Sequence, residues 1–190
     1  LGKREPMSLE WALGRATFGG NRRIISSGNW SGFGFQRNAP VDHSLPVLFA
    51  KDLKGDVRVV WANYACHCTT VGARNRVGGD WAGFANTSIE NEFRNAVSLM
   101  TIGCGADIGP QPSGTLAIAE DHGRTIAAEA KRLFAQKTIK LNHSPSVNSR
   151  RISLPLTKPK PRKYWEAQLK SGGFNHQLAK AMLAKLDPTG

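Results

Sequence analysis

Val57-Arg58-Val59-Val60-Trp61-Ala62-Asn63-Tyr64-Ala65-Cys66-His67-Cys68-Thr69-Thr70 is the stretch on which the fold turns. Its first half is an apolar, β-branched run of strand length, and its second half is polar. The reading is a buried strand that ends at His67, where a histidine can face a cleft. Just upstream, Leu45 to Ala50 is a second such run, separated from the first by Lys51-Asp52-Leu53-Lys54-Gly55-Asp56, which has the composition of a hairpin turn. An antiparallel pair follows. Further out, Leu9 to Phe18 alternates as a strand, Val97 to Ile102 is a third apolar run, and 138–156 reads as extended. Residues 26–40, rich in glycine, serine and asparagine but carrying Trp30, Phe33 and Phe35, read as a loop that packs over a site.

Between the strands lie two helical patterns. Trp81 to Phe93 has apolar residues near helical spacing, with Asp80 placed as its N-cap. Thr115 to Ala135 carries one apolar stripe, Lys131 and Arg132 near its C-terminal end, and Gly123 as a mild defect. Strand and helix in alternation predict an α/β fold, a mixed sheet with helices packed on it. The division expected is an α/β region over 1–156 and, over 157–190, a basic linker followed by a short helical hairpin. The linker 158–163 is proline-broken, and Tyr164 to Leu169 and Phe174 to Leu186 form the hairpin.

With 190 residues and 40% hydrophobic content the chain can bury a sizeable core. Twenty-six Lys plus Arg against fourteen Asp plus Glu give a net +12. Nine of the basic residues and only two of the acidic ones fall between Arg150 and Gly190. Such a segment favours an anionic membrane surface. Nucleic acid is the weaker partner, since no recognition motif or stacking pattern accompanies the charge. Three cysteines, at 66, 68 and 104, are too few for a disulfide framework and read as free thiols. No run of eighteen apolar residues and no signal-peptide pattern is present, and a start at Leu1 reads as a piece of something longer.

Three motifs stand in order: Asn63 to Thr70, Gly79-Asp80-Trp81-Ala82-Gly83-Phe84-Ala85, and Gly103-Cys104-Gly105-Ala106-Asp107-Ile108-Gly109-Pro110. Together with Gly14-Arg15-Ala16-Thr17-Phe18 and Asn21-Arg22-Arg23 they make residues 9–135 resemble the neutral/alkaline non-lysosomal ceramidase family, in its bacterial branch. The resemblance implies a partial catalytic domain of a zinc-dependent hydrolase of amide or ester bonds with a small-molecule or lipid-like substrate, secreted or periplasmic. It makes His67 a zinc ligand, the remaining ligands lying before Leu1 and after Gly190. It also places Gly109 where the family carries its serine nucleophile. On this reading Asp80 and Asp107 orient water or act as base. Three classes stay open from the residues themselves: a metal hydrolase, an inactive scaffold or binding derivative, and a polyanion-binding module.

Overall fold

The computed structural model describes residues 4–143, 146–156 and 158–186. They divide into two compact units, Leu1–Pro145 and Ser146–Gly190. In the first unit the strands are β1 (Ser8–Arg15), β2 (Gly19–Asn21), β3 (Arg23–Ser26), β4 (Asn29–Phe33), β5 (Ser44–Lys51), β6 (Val57–Tyr64), β7 (Val97–Ile102), β8 (Ile108–Pro110) and β9 (Ile139–Leu141). Its helices are α1 (Asp80–Glu92) and α2 (Leu116–Phe134). The main sheet has the order β7-β6-β5-β1-β9. It is mixed: β6 and β7 run parallel, joined through α1, and the other pairs are antiparallel. The expected α/β architecture is found.

The register assigns every strand residue to a face, because successive side chains alternate. Leu45, Val47 and Phe49 of β5 and Val60, Ala62 and Tyr64 of β6 point to the helix side and are fully buried. Each such aliphatic or aromatic side chain contributes about 1.5–3 kcal/mol by leaving water. Trp81, Ala85 and Ile89 of α1 and Ala119, Ile126, Ala127, Ala130 and Leu133 of α2 close over them. Phe18, Tyr64, Trp81 and His122 form an aromatic group at one end of this core, with Phe18 and His122 stacked at 4.2 Å. His122 is a satisfied core histidine, its Nε2 donating to the Pro112 carbonyl at 2.9 Å.

On the other side of the same sheet the outward positions are Leu9, Trp11 and Leu13 of β1; Pro46, Leu48 and Ala50 of β5; Val59, Trp61 and Asn63 of β6; Val97, Leu99 and Thr101 of β7; and Ile139 and Leu141 of β9. Twelve of these fourteen are apolar and none is charged. Arg15 and Ser44, paired at the end of β1 and β5, lie on this face by the same alternation and bring the one charged side chain to its rim.

Three local expectations are corrected. Residues 26–40 are not a loop throughout: Ser27 and Gly28, both at positive φ, make the two-residue turn of the β3–β4 hairpin. The first strand stops at Arg15 rather than Phe18, since the chain turns Phe18 into the core and pairs Gly19–Asn21 with β8. Gly123 is no defect. A Cβ there would lie 2.6 Å from the backbone of Phe84 and Ala85, so the bare Cα is what lets α2 approach α1 this closely. The N-cap of α2 is Thr115, whose hydroxyl accepts the Ile118 N–H.

The second unit has no regular structure over 146–156, then α3 (Arg162–Gln168) and α4 (Gly173–Leu186) as a hairpin. Helix starts directly after Pro161, two residues inside the segment expected to be wholly extended, because proline in the N-cap position blocks only what precedes it. His176 Nδ1 bonds the Leu169 carbonyl at 2.8 Å and Ala179 is buried. No helix among the described residues is long and apolar enough to cross a membrane.

Candidate functional site

Beyond Tyr64 the chain leaves the sheet, with Cys66 N–H returning to the Tyr64 carbonyl at 3.0 Å and His67 N–H donating to the Ile108 carbonyl at 3.1 Å. The Cys66-His67-Cys68 triplet is therefore not strand, and strand alternation does not govern where its side chains go. Burial pushes the Cys66 thiol up to about 12 and raises that of Cys68, so neither is poised as a thiolate. All three cysteines are free.

The half-buried His67 ring is held at both nitrogens. Nδ1 lies 2.7 Å from the Gly105 carbonyl and Nε2 lies 2.9 Å from Arg22 Nη2. A carbonyl only accepts and a guanidinium only donates. The ring is therefore the neutral tautomer with its proton on Nδ1, and the Nε2 lone pair takes the Arg22 N–H. Gly105 makes this possible. A Cβ on it would stand 2.7 Å from the backbone of Ala65 and Cys66, so only glycine lets its loop lie close enough for its carbonyl to meet the ring.

Arg22 is the residue the sequence reading missed. It was visible only as part of a basic strand end, and it lies 45 residues from His67. The β2–β8 pairing brings it there: Gly20 faces Gly109, and Arg22 N–H donates to the Asp107 carbonyl at 2.7 Å. Its Nε and Nη2 share the Ala106 carbonyl with Arg23 Nη2, at 3.3, 3.1 and 3.0 Å. Both guanidinium groups lie against the Phe33 ring, at 5.0 and 4.9 Å, so the β3–β4 hairpin does pack on the cluster. A Cβ on Gly109 would come 3.3 Å from Arg22 Cδ. The arginine stem thus lies against the position at which the resemblance expects a serine.

Of the carboxylates, Asp107 joins this cluster through the Asn21 amide, which donates to its Oδ2 at 3.2 Å. Asp80 is employed elsewhere. It is the first residue of α1, at φ +51, and the N-cap is Gly79 with no side-chain bond, which corrects the capping expectation. Its carboxylate instead accepts the N–H groups of Thr70 and Val71, each at 3.0 Å, and of Trp81 at 2.8 Å. Burial pushes its carboxyl up, but these donors outweigh that and hold it below the ordinary range. Trp81 Nε1 in turn donates to the His67 carbonyl at 2.9 Å, so Asp80 and Trp81 brace the segment that carries the histidine.

No family model matches the chain and no curated protein matches it. Solved structures do. A ceramidase complexed with C2 superposes with a TM-score of 0.59 at 16% identity, over 74% of this chain and 24% of that one. The chain folds like part of a ceramidase. A second structure, the neutral ceramidase from Pseudomonas aeruginosa, gives a TM-score of 0.58 at 15% identity over 74% of this chain and 24% of its own. The ceramidase-like likeness is one of fold, and the chain spans about a quarter of the length of either structure.

The donor set does not by itself fit zinc. His67 contributes one imidazole whose lone pair already faces a cation, Arg22. Among the described residues no group of three or more His, Cys, Asp and Glu side chains could hold a metal ion. Catalytic zinc draws three protein ligands as a rule.

Proposed function

We propose that this chain carries the Arg22–His67 side of a ceramidase-like hydrolase site for amide or ester bonds in a lipid-like substrate. The observation that supports the reading is the tautomer lock on His67, with Gly105 fixing the proton on Nδ1 and leaving an Nε2 lone pair beside a guanidinium. A neutral imidazole so held is a general base for water. Arg22, turning from Nε2 to the substrate, stabilises the carbonyl oxygen as it becomes an oxyanion. With Gly109 in place of a nucleophile, water adds to the carbonyl carbon directly. Its proton passes to His67 Nε2, the C–N or C–O bond breaks, and the amine or alcohol leaves with that proton. Asp107 orients the water, and Asp80 holds the 67–71 segment from behind. Zinc, which the resemblance attaches to His67, enters no step, because the residues present do not accommodate it. The basic residues of the second unit hold an anionic membrane surface, which salt-sensitive co-sedimentation with anionic vesicles would register.

A second reading has its own support: Gly109 and the guanidinium on Nε2 are also what an inactive ceramidase-like scaffold would retain. Turnover of a short-chain N-acyl amide and its ester analogue by the 190-residue chain, with and without added zinc, separates the two. Hydrolysis that falls about 100-fold or more in His67→Ala and Arg22→Met, with unchanged circular dichroism, is the expected result. Wild-type turnover no higher than that of His67→Ala leaves the scaffold.

A further inference from the structure

Arg22 and Arg23 are held side by side with their charge unanswered. Their Nη2 atoms both donate to the Ala106 carbonyl, at 3.1 and 3.0 Å, so these two atoms stand no more than about 6 Å apart. Both guanidinium groups rest on the Phe33 ring, which the β3–β4 pairing sets opposite Arg23. Arg124, Arg132 and Arg162 each pair with a carboxylate, whereas among the described residues neither Arg22 nor Arg23 is in an ion pair. Asp107 does not supply one. Its backbone carbonyl takes the Arg22 N–H, but its carboxylate Oδ2 accepts from the Asn21 amide. Among the described residues the Arg23 guanidinium is hydrogen-bonded through Nη2 alone, which leaves its Nε and Nη1 to donate elsewhere. Two like charges gathered on one neutral carbonyl repel each other, and an aromatic ring offsets this only in part. An oxyanion between them completes the arrangement.

We propose that Arg22 and Arg23 select substrates that carry an oxyanion, a carboxylate or a phosphate, on the leaving half, with Arg23 as the specificity-determining residue. This rests on the hydrolase reading above, in which the acyl half is lipid-like and Arg22 turns to the oxygen of the scissile carbonyl. The charge then falls on the amine or alcohol half. Arg23, sharing the Ala106 carbonyl with Arg22, stands next to that carbonyl oxygen. The carboxylate of an N-acyl amino acid lies only a few bonds from its amide carbonyl, a separation that two adjoining guanidinium groups can span. Arginine suits the task because its planar fork meets a carboxylate or phosphate with two parallel N–H donors. A neutral amino alcohol in the same place leaves Arg23 with nothing to pair with.

Calorimetric binding to the 190-residue chain of sulfonamides, which are inert to amide hydrolysis, tests this. The probes are N-octanesulfonyl glycine, N-octanesulfonyl ethanolamine phosphate and the neutral N-octanesulfonyl ethanolamine. At least one charged probe should bind about tenfold or more tighter than the neutral one, by a margin that shrinks as salt rises. Whichever charged probe is tighter names the oxyanion. Arg23→Met should erase the margin and leave affinity for the neutral probe within about twofold, while Arg23→Lys, which keeps the charge without the fork, should retain part of it. Circular dichroism checks both variants for fold. Equal affinity for all the probes, a margin that Arg23→Met leaves intact, or no saturable binding would overturn the proposal. The hydrolase reading fails separately. Arg23-dependent binding by a chain that hydrolyses no N-acyl amide keeps the oxyanion site and ends that reading. Turnover of N-octanoyl glycine, N-octanoyl ethanolamine and its phosphate at equal kcat/KM keeps the hydrolase and ends the selectivity.

Discussion

The two faces of the main sheet come from the same strands and are both largely apolar, yet α1 and α2 close one and leave the other exposed. On β6, Val60, Ala62 and Tyr64 have no exposure while Trp61 between them is 46% exposed. Alternation decides which residues share a face; it does not decide what covers that face. A strand apolar on both sides is a demand for two layers, and α1 and α2 of the first unit supply one of them.

The largest expected effect breaks the equivalence of the faces outright. Phe49→Ala, at a site packed between Phe93 and Phe134, should cost about 3–5 kcal/mol in urea unfolding. Leu99→Ala on the open face should cost under about 1 kcal/mol. Similar losses at both positions would mean that the open face is closed in solution.

A middle-sized effect concerns how the helix layer is tied to the site. Asp80→Asn should lose about 2 kcal/mol, because an amide NH2 would be set against N–H donors where a carboxylate oxygen now accepts. The sign with pH follows from the lowered folded-state value. The contribution of Asp80 is complete above its ordinary pKa of 3.8 and is lost as pH falls through the depressed folded value. Wild type should therefore lose its advantage over Asp80→Asn only in that acidic window. An advantage that persists unchanged below it would show that the carboxylate is not what these N–H groups need.

The smallest effect sharpens the comparison at the helix layer. Alanine is favoured over glycine inside a helix by about 1 kcal/mol, yet a Cβ on Gly123 meets the backbone of α1. Overpacking of that kind costs about 1–3 kcal/mol, so Gly123→Ala should be destabilising by about 1 kcal/mol net. A rise in thermal midpoint would mean that α1 and α2 sit farther apart.

Much of the fold was legible because it rests on local periodicity. The β5–β6 hairpin, β7, α1 and α2 lie where apolar spacing and turn residues put them, and Thr115 begins the long helix. The β3–β4 hairpin was hidden by a Ser-Gly turn and a polar strand. Gly123 read as a weakness because its reason is on another helix. At the site, His67 and Asp107 were visible as polar residues in loops after apolar strands. Arg22 gave only a charge signal, and the usual N-cap reading of Asp80 hid its actual partners at residues 70 and 71.

By itself the sequence determined which residues form strands and helices, which side of each strand is apolar, and that a histidine follows the β6 strand, because backbone period and hydrophobic alternation act over a few residues. Only the tertiary structure decided that Arg22 meets the lone pair of His67 and that α1 and α2 cover one of the two apolar faces. Those outcomes depend on the pairing of β2 with β8, which sets Asn21 opposite Ile108 and ties its amide to Asp107 across 86 residues, and on which face of the sheet α1 and α2 cover, and no local rule carries either.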